Sequence, residues 1–382
     1  MRIFFYAQHL LGIGHLRRAA TLARALADGG FDVLLVSGGA PTSGLSLGGV
    51  RFHQLPPVRA ADETLRDLCQ LDGTPLDEAF CVKRTQILLD LLRVETPDIL
   101  ITEQFPFGRT RLRFELLPLL EAAKALEPRP LIVSSVRDVV RRTSAQRVAE
   151  VVEIFNASFD AVLIHADPAL VDFRRSFNGW EEIRTRAHYT GYVAEHDLSR
   201  RPQGGAGVGE VIVSVGGGAV GAPLLQAAIA ARPKTPLADR RWRLLVGVNL
   251  PAGEQARLPT DNGIAIEPAR SDFTTLLHNA TLSISQAGYN TVIETLCCAD
   301  RAVFVPFGSE RETEQSDRAE LLAERGMVAM VPAGTLAPET LANAVRRALD
   351  GPSIRSFPRC SVEGGPASAR LLHRLMRLRC NA

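Results

Sequence analysis

In Ser283-Ile-Ser-Gln-Ala-Gly-Tyr-Asn-Thr-Val-Ile-Glu294 a short apolar run enters a Gly-containing turn and then a helix. Thr291 falls in the helix's first turn and Glu294 one turn further on. The first N–H groups of a helix are unpaired and its dipole is positive there, so a diphosphate fits that end. A carboxylate one turn in can accept hydrogen bonds from ribose hydroxyls. Residues 301–308 read as the next buried strand with its loop. Residues 310–315 then bring polar groups to that strand's C-terminal end, where α/β folds bind ligands. A plainer reading stands beside this one: ordinary strand, turn and helix, with Glu294 a solvated helix residue.

The other chemistry-bearing stretch lies near the start. Residues 2–6 read as a first strand, followed by Ala-Gln-His-Leu-Leu-Gly12-Ile-Gly14-His15. A helix over 16–27 follows, with apolar residues at Leu16, Ala20, Ala23 and Leu26. A Gly-rich loop between first strand and first helix brings ligand close to backbone. Arg17 stands where the third Gly of G-x-G-x-x-G would be, so a dinucleotide site is not expected. His15 opens the helix, where the dipole favours the neutral imidazole, and a neutral imidazole can take a proton from a hydroxyl. The alternative is a histidine that only hydrogen-bonds its loop; the Gly-Ile-Gly context favours the base.

Three further clusters follow strands. Thr102-Glu103-Gln-Phe-Pro-Phe-Gly-Arg109 places Glu103 and Arg109 at a sheet's C-terminal edge. There they either bind an acceptor, with Glu103 an alternative base, or form a loop salt bridge. Arg137-Asp138 reads as a structural contact. In His165-Ala-Asp167-Pro, His165 is a candidate to line the acceptor side, while Asp167 before Pro168 suits an N-cap.

The elements that must position these groups alternate along the chain, as a parallel sheet requires. Strands are expected at 2–7, 32–36, 98–102, 131–135 and 160–164, with helices at 76–94, 114–126 and 145–155. Residues 200–209, rich in Gly and Pro and without apolar period, read as a linker. A second series has strands at 211–215, 242–246, 264–266, 282–285, 302–305 and 328–331, and a last helix runs over 367–379. A length of 382 residues suits two domains rather than one core. The net charge of +2 offers no basic field for nucleic acid. The six cysteines show no C-x-x-C spacing, and Cys297-Cys298 reads as thiol packing in an apolar helix. No disulfide framework is expected, which makes a reducing cytoplasm the default. The start lacks a signal-peptide layout, and no apolar run reaches a membrane span. Arg109, Arg111 and Arg113 run into an apolar stretch, 114–120, that would suit a membrane surface. Helix-to-sheet packing of Leu116, Leu117 and Leu120 explains it better.

Gly12-Ile-Gly-His15, Ala-Gly-Tyr-Asn-Thr-Val-Ile-Glu294 and Pro306-Phe-Gly-Ser-Glu-Arg-Glu-Thr-Glu-Gln315 together resemble the MurG-like (family 28) GT-B glycosyltransferases, and most closely an uncharacterised bacterial branch of them. The resemblance implies an α/β GT-B fold: two Rossmann-like domains with parallel sheets facing across a cleft. The acceptor domain would be 1–199, the linker 200–209 and the donor domain 210–365, with a helix at 366–382 crossing back to the first domain. Ala287, Gly288, Asn290 and Thr291 would then lie near the diphosphate and Glu294 at the ribose. Glu314 and Gln315 would face the donor sugar. Gly216-Gly217-Gly218 matches the family's second Gly-rich loop, and Arg270 falls where backbone reads the base. Gly12, Gly14, Arg109 and His165 would be acceptor-side. Two segments depart from the family pattern. Gln286-Ala287 replaces its serine-rich loop start, and Gly191-Tyr-Val its hinge Gly-Asn-Pro. The implied activity is inverting transfer of a sugar from a nucleoside-diphosphate sugar, UDP-sugar favoured, to an acceptor hydroxyl. The acceptor would be a glycan, a lipid-linked molecule or a small molecule, with no cofactor required. No Asp-x-Asp pair is present, so a metal clamp is not expected. The expected location is cytoplasmic, with peripheral contact at the inner membrane face as a variant. Rival readings are a nucleotide-sugar hydrolase like that of pseudaminic acid synthesis, a UDP-sugar 2-epimerase-like enzyme, and a non-catalytic sensor.

Overall fold

The computed structural model describes residues 1–10, 12–42, 44–62, 67–194, 198, 204–216, 221–247, 250, 252–255, 258, 263–307 and 313–380. It divides into two compact units, Met1–Glu195 with Ser361–Ala382, and His196–Cys360.

The first unit contains strands β1 (Arg2–Ala7), β2 (Asp32–Ser37), β3 (Arg51–Gln54), the short pair β4 (Arg59–Ala60) and β5 (Leu68–Cys69), β6 (Ile99–Glu103), β7 (Leu131–Val136), β8 (Ala161–Ile164) and β9 (Ala187–Tyr189). Its helices are α1 (Gly14–Asp28), α2 (Glu78–Glu95), α3 (Arg113–Lys124), α4 (Ala145–Ser158) and α5 (Trp180–Ile183). The main sheet has seven strands in the order β3-β2-β1-β6-β7-β8-β9, all parallel to their neighbours. The period of two decides which helix packs where. Phe4 and Tyr6 of β1 face the core shared with Leu88 of α2, Leu116 of α3 and Phe155 of α4. Ile3, Phe5 and Ala7 face Leu16, Ala20, Ala23 and Leu26 of α1. Strand order reverses between β1 and β6, so the loops leaving those two strands diverge and open a crevice at their C-terminal ends.

The second unit contains β10 (Val211–Ser214), β11 (Trp242–Val246), β12 (Ile264–Pro268), β13 (Leu282–Ser285), β14 (Ala302–Phe304) and β15 (Ala329–Met330). Its helices are α6 (Ala222–Ala231), α7 (Ala252–Gln255), α8 (Phe273–Asn279), α9 (Tyr289–Cys298), α10 (Glu314–Glu324) and α11 (Pro338–Asp350). The sheet is again parallel, ordered β12-β11-β10-β13-β14-β15. Its reversal falls between β10 and β13. Helix α12 (Gly364–Cys380) belongs to the first unit. Leu371 and Leu372 join the α1 face of that core, and His373 Nε2 lies 2.9 Å from the Gly29 carbonyl oxygen.

Three expectations need amendment. The edge strands β3 and β9 and the β4–β5 pair were not anticipated: Arg51-Phe-His-Gln and Ala-His-Tyr lack apolar runs because an edge strand is half in solvent. Residues 204–209, read as linker, pack on α8. Asn279 Nδ2 donates to the carbonyls of Gly204 at 2.9 Å and Ala206 at 3.0 Å. The segment lacks an apolar period because it is a run of turns: a Cβ on Gly207, which has φ +92°, would lie 2.9 Å from the Leu276 carbonyl oxygen. In α3, Leu116 and Leu120 are fully buried, as packing requires, whereas Leu117 is 37% exposed. No helix among the described residues is long and apolar enough to cross a membrane.

Candidate active site

The first unit's crevice lies where β1 runs into α1 and β6 ends. Glu103 is the last residue of β6 and is completely buried. Its Oε1 lies 2.6 Å from His15 Nδ1 and accepts from Arg18 Nη2, also at 2.6 Å. Two parallel strands therefore bring together residues 88 positions apart. Arg18 stands three residues beyond His15 in α1, so both project from one helix face onto the same carboxylate. Arg18 Nη1 reaches Ser135 Oγ at 3.4 Å. Ser135 Oγ is 2.9 Å from His165 Nε2, and His165 Nδ1 is 2.8 Å from Thr190 Oγ1. The result is a polar line beneath the crevice, running from α1 through the ends of β6, β7 and β8.

Each titration follows from this geometry. Burial alone would raise Glu103, but His15, then Arg18 and Arg109, outweigh it and hold the carboxyl well below its usual range. A carboxylate so stabilised is a weak base, so of the two candidates the geometry favours His15. Burial, then the guanidinium groups of Arg109 and Arg137, push His15 well below the ordinary imidazole value. His15 is neutral at pH 7. A carboxylate only accepts, so Nδ1 carries the proton and Nε2 keeps its lone pair. The side chain is 18% exposed, enough to meet a ligand. Gly14 fits the close approach here, since a Cβ there would lie 3.4 Å from Arg137 Nη2. Gly12 has open space around it. Arg109 Nε stands 3.8 Å from Glu103 Oε2, beyond hydrogen-bond range. His165 departs from expectation. It does not line the acceptor side but is wholly buried with both ring nitrogens engaged. Burial, then Arg18, keep it neutral.

A second polar cluster, missed in the sequence, supports the loops leaving β1, β2 and β3. Arg84 and Glu115 are fully buried and joined at 2.6 Å. Arg84 also donates to Gln8 Oε1 at 2.9 Å and to the carbonyls of Gly38, at 3.0 Å, and Pro56. Tyr6 OH donates to Glu115. Gly38 has no room for a side chain, because a Cβ would meet Gln8 Oε1 at 2.1 Å. The available signal was Arg84 at helical spacing from Leu88 and Leu92, a charge on an apolar stripe.

In the second unit, the strand-order reversal falls between the loops after β10 and β13. Gly216 takes φ +65° after β10. Gly217 and Gly218 lie outside the described residues. Gly288 is the N-cap of α9, and among the described residues no side-chain oxygen caps that helix. Its first N–H groups point at the loop carrying Ala287 and Gly288, with Asn290 and Thr291 half-buried in the first turn and Glu294 half-buried one turn later. Gln315 Oε1 accepts from the backbone N–H of Ala287 at 3.0 Å and Phe307 at 3.1 Å, so it ties together the loops after β13 and β14. Glu314 is the first residue of α10. Arg318, also missed, is buried and donates to the Ala287 carbonyl at 2.7 Å. Arg270 chelates Asp272 at 2.8 and 2.7 Å and reaches Glu267 at 3.0 Å, which leaves its backbone rather than its side chain for a ligand. Cys297 Sγ lies 3.0 Å from Cys360 Sγ, a thiol contact at the far end of α9.

Residues 212–357 match the glycosyltransferase family 28 C-terminal domain. The second unit thus carries a glycosyltransferase family 28 C-terminal domain, and the chain is similar to MurG. It is 34% identical over 93 residues to the UDP-N-acetylglucosamine--N-acetylmuramyl-(pentapeptide) pyrophosphoryl-undecaprenol N-acetylglucosamine transferase of Burkholderia mallei, covering 24% of this chain and 25% of that protein. The match thus spans about a quarter of that curated relative. The calicheamicin glycosyltransferase CalG4 aligns over 98% of both chains with a TM-score of 0.65 and 16% identity. MurG of Acinetobacter baumannii aligns over 98% of this chain and all of its own, with a TM-score of 0.60 and 19% identity. The fold of the chain is GT-B.

Proposed function

We propose that this chain transfers a sugar, with inversion, from a nucleoside-diphosphate sugar to an acceptor hydroxyl, a UDP-sugar being the favoured donor. The observation that carries the reading is the His15–Glu103 pair at 2.6 Å, set at the strand-order reversal of one unit of a chain whose other unit carries a family 28 C-terminal domain. His15 Nε2 takes the acceptor's hydroxyl proton as that oxygen attacks the anomeric carbon. The bond from that carbon to the diphosphate breaks, and the diphosphate leaves with its electron pair. Glu103 fixes the imidazole tautomer and stabilises the imidazolium that forms. The start of α9, whose N-cap is a glycine, supports the donor assignment, since the N–H groups of a helix start stabilise charge developing on a leaving diphosphate. Ala287, Gly288, Asn290 and Thr291 would meet the diphosphate, Glu294 the ribose, and Glu314 the donor sugar, with Gln315 holding the loops. This chemistry does not depend on a metal.

The test has two parts. A thermal-shift panel of nucleotides and nucleotide sugars should show UDP-sugars raising the melting temperature, because a ligand that binds only the native state stabilises it. Incubation of the stabilising donor with and without an acceptor mixture should then give a glycosylated product only when acceptor is present. Free sugar released at the same rate without acceptor would make the protein a hydrolase.

A further inference from the structure

Resting on the glycosyl-transfer reading above, we propose that Arg109 anchors an acid-binding subsite next to His15, so that the acceptor carries a carboxylate near the hydroxyl it offers. The Arg109 side chain is nearly buried, 11% exposed. Yet Nε and Nη2 have no hydrogen-bond partner among the described residues. Buried guanidinium N–H groups are ordinarily satisfied, because leaving a charged donor unpaired forfeits its hydration without return. Five residues earlier on the same loop, Gln104 is 4% exposed and its Nε2 is also without a partner among the described residues. These donors sit on the two non-glycine residues of the loop with left-handed backbone, Gln104 at φ 66° and Arg109 at φ 57°. Such conformations are strained and are retained where they place a side chain for a ligand.

Charge matching points the same way. Glu103 is claimed at 2.6 Å by Arg18, whereas Arg109 stands 3.8 Å from its other oxygen. One carboxylate thus faces two guanidiniums, and the positive charge of Arg109 is left over. The neighbours feel that charge: after burial, Arg109 is the largest influence lowering both His9 and His15. The form of the unfilled group selects the anion. Nε–H and Nη2–H are the parallel pair on one edge of the guanidinium, the edge that matches the two oxygens of a planar carboxylate. An acid held there would bring an adjacent hydroxyl towards the imidazole that Arg109 itself keeps neutral.

Calorimetric titration with glucuronate, glucose and glucose 6-phosphate tests this on the full chain and on Arg109→Gln and Arg109→Lys. Glucuronate should bind at least about tenfold more tightly than glucose, and both variants should lose that advantage, since lysine keeps the charge but not the paired N–H edge. Circular dichroism and UDP binding in the same preparations show whether each variant is folded. Equal binding of glucuronate and glucose, or no binding of glucuronate, would overturn the subsite. So would glucuronate affinity unchanged in both variants. Preference for glucose 6-phosphate would overturn the carboxylate assignment. Failure of the glycosyl-transfer reading shows separately, as absence of UDP-sugar binding and turnover, and leaves the Arg109 comparison readable.

Discussion

An imidazole whose Nδ1 is tied to a carboxylate has one nitrogen left for chemistry, and His15 is held neutral to use it. His15→Ala should lower kcat about 10²-fold or more, the usual contribution of a general base. Donor nucleotide affinity should stay unchanged, because the residues proposed to hold the nucleotide are in the other unit. A steady-state comparison of kcat with UDP affinity checks both halves, and near-normal transfer by the mutant would place the base elsewhere. The pH profile follows from the same shift. A base whose pKa is pushed below 6.5 stays competent through neutral pH, so the acid limb of kcat/KM should fall below about pH 6.5. His15 and Glu103 were legible because each follows a strand end, where α/β sheets keep their chemistry. Arg18 was not, since an arginine in a surface-type helix reads as a solvated charge; its i, i+3 relation to His15 was the only clue. His165 follows a strand end too, but β8 stands two strands away from β6 and the strand-order reversal, and its ring is buried between Ser135 and Thr190.

At the scale of elements, a strand, a glycine and a helix start make one device, and it occurs at the strand-order reversal of each unit. In α9 the first turn carries the proposed diphosphate contacts and Glu294 lies one turn beyond Tyr289–Asn290. Glu294→Ala should weaken UDP binding by about 1.5–3 kcal/mol, the scale of a hydrogen bond to a charged acceptor. Calorimetry measures it directly, and unchanged affinity would remove Glu294 from the ribose. The buried parallel strands were readable because their apolar runs are continuous, as strands covered on both faces must be. What escaped were elements without such runs: β3 and β9 at sheet edges, and the glycine turns over residues 204–209. Turn chemistry and linker composition look alike in sequence. The contacts of Asn279 with Gly204 and Ala206, and the close approach of Gly207 to Leu276, separate them.

For the molecule as a whole, length and alternation were enough to indicate two α/β units. The return of α12 to the first unit had no signature in its own residues, because its apolar stripe would fit many surfaces; Gly365 shows the fit, as a Cβ there would lie 2.5 Å from Ala25 Cβ. The distribution of buried histidines adds a property that no local motif reveals. His9, His15, His165 and His188 all belong to the first unit, and in all four burial is the main cause of a lowered pKa. An imidazole that titrates near pH 6.5 when unfolded but lower when folded leaves the unfolded chain binding more protons between those values. Stability is therefore fully present above about pH 6.5 and is lost as pH falls towards the folded values. The usual carboxylate range lies below that window, so the first unit should weaken before general acid unfolding begins. Urea midpoints should drop between pH 7.5 and 5.5, and His165→Gln, which removes one of the four imidazoles, should flatten that slope. A midpoint that does not move across this interval would mean that the buried imidazoles already carry protons in the folded state, and the neutral His15 required for proton abstraction would fall with it.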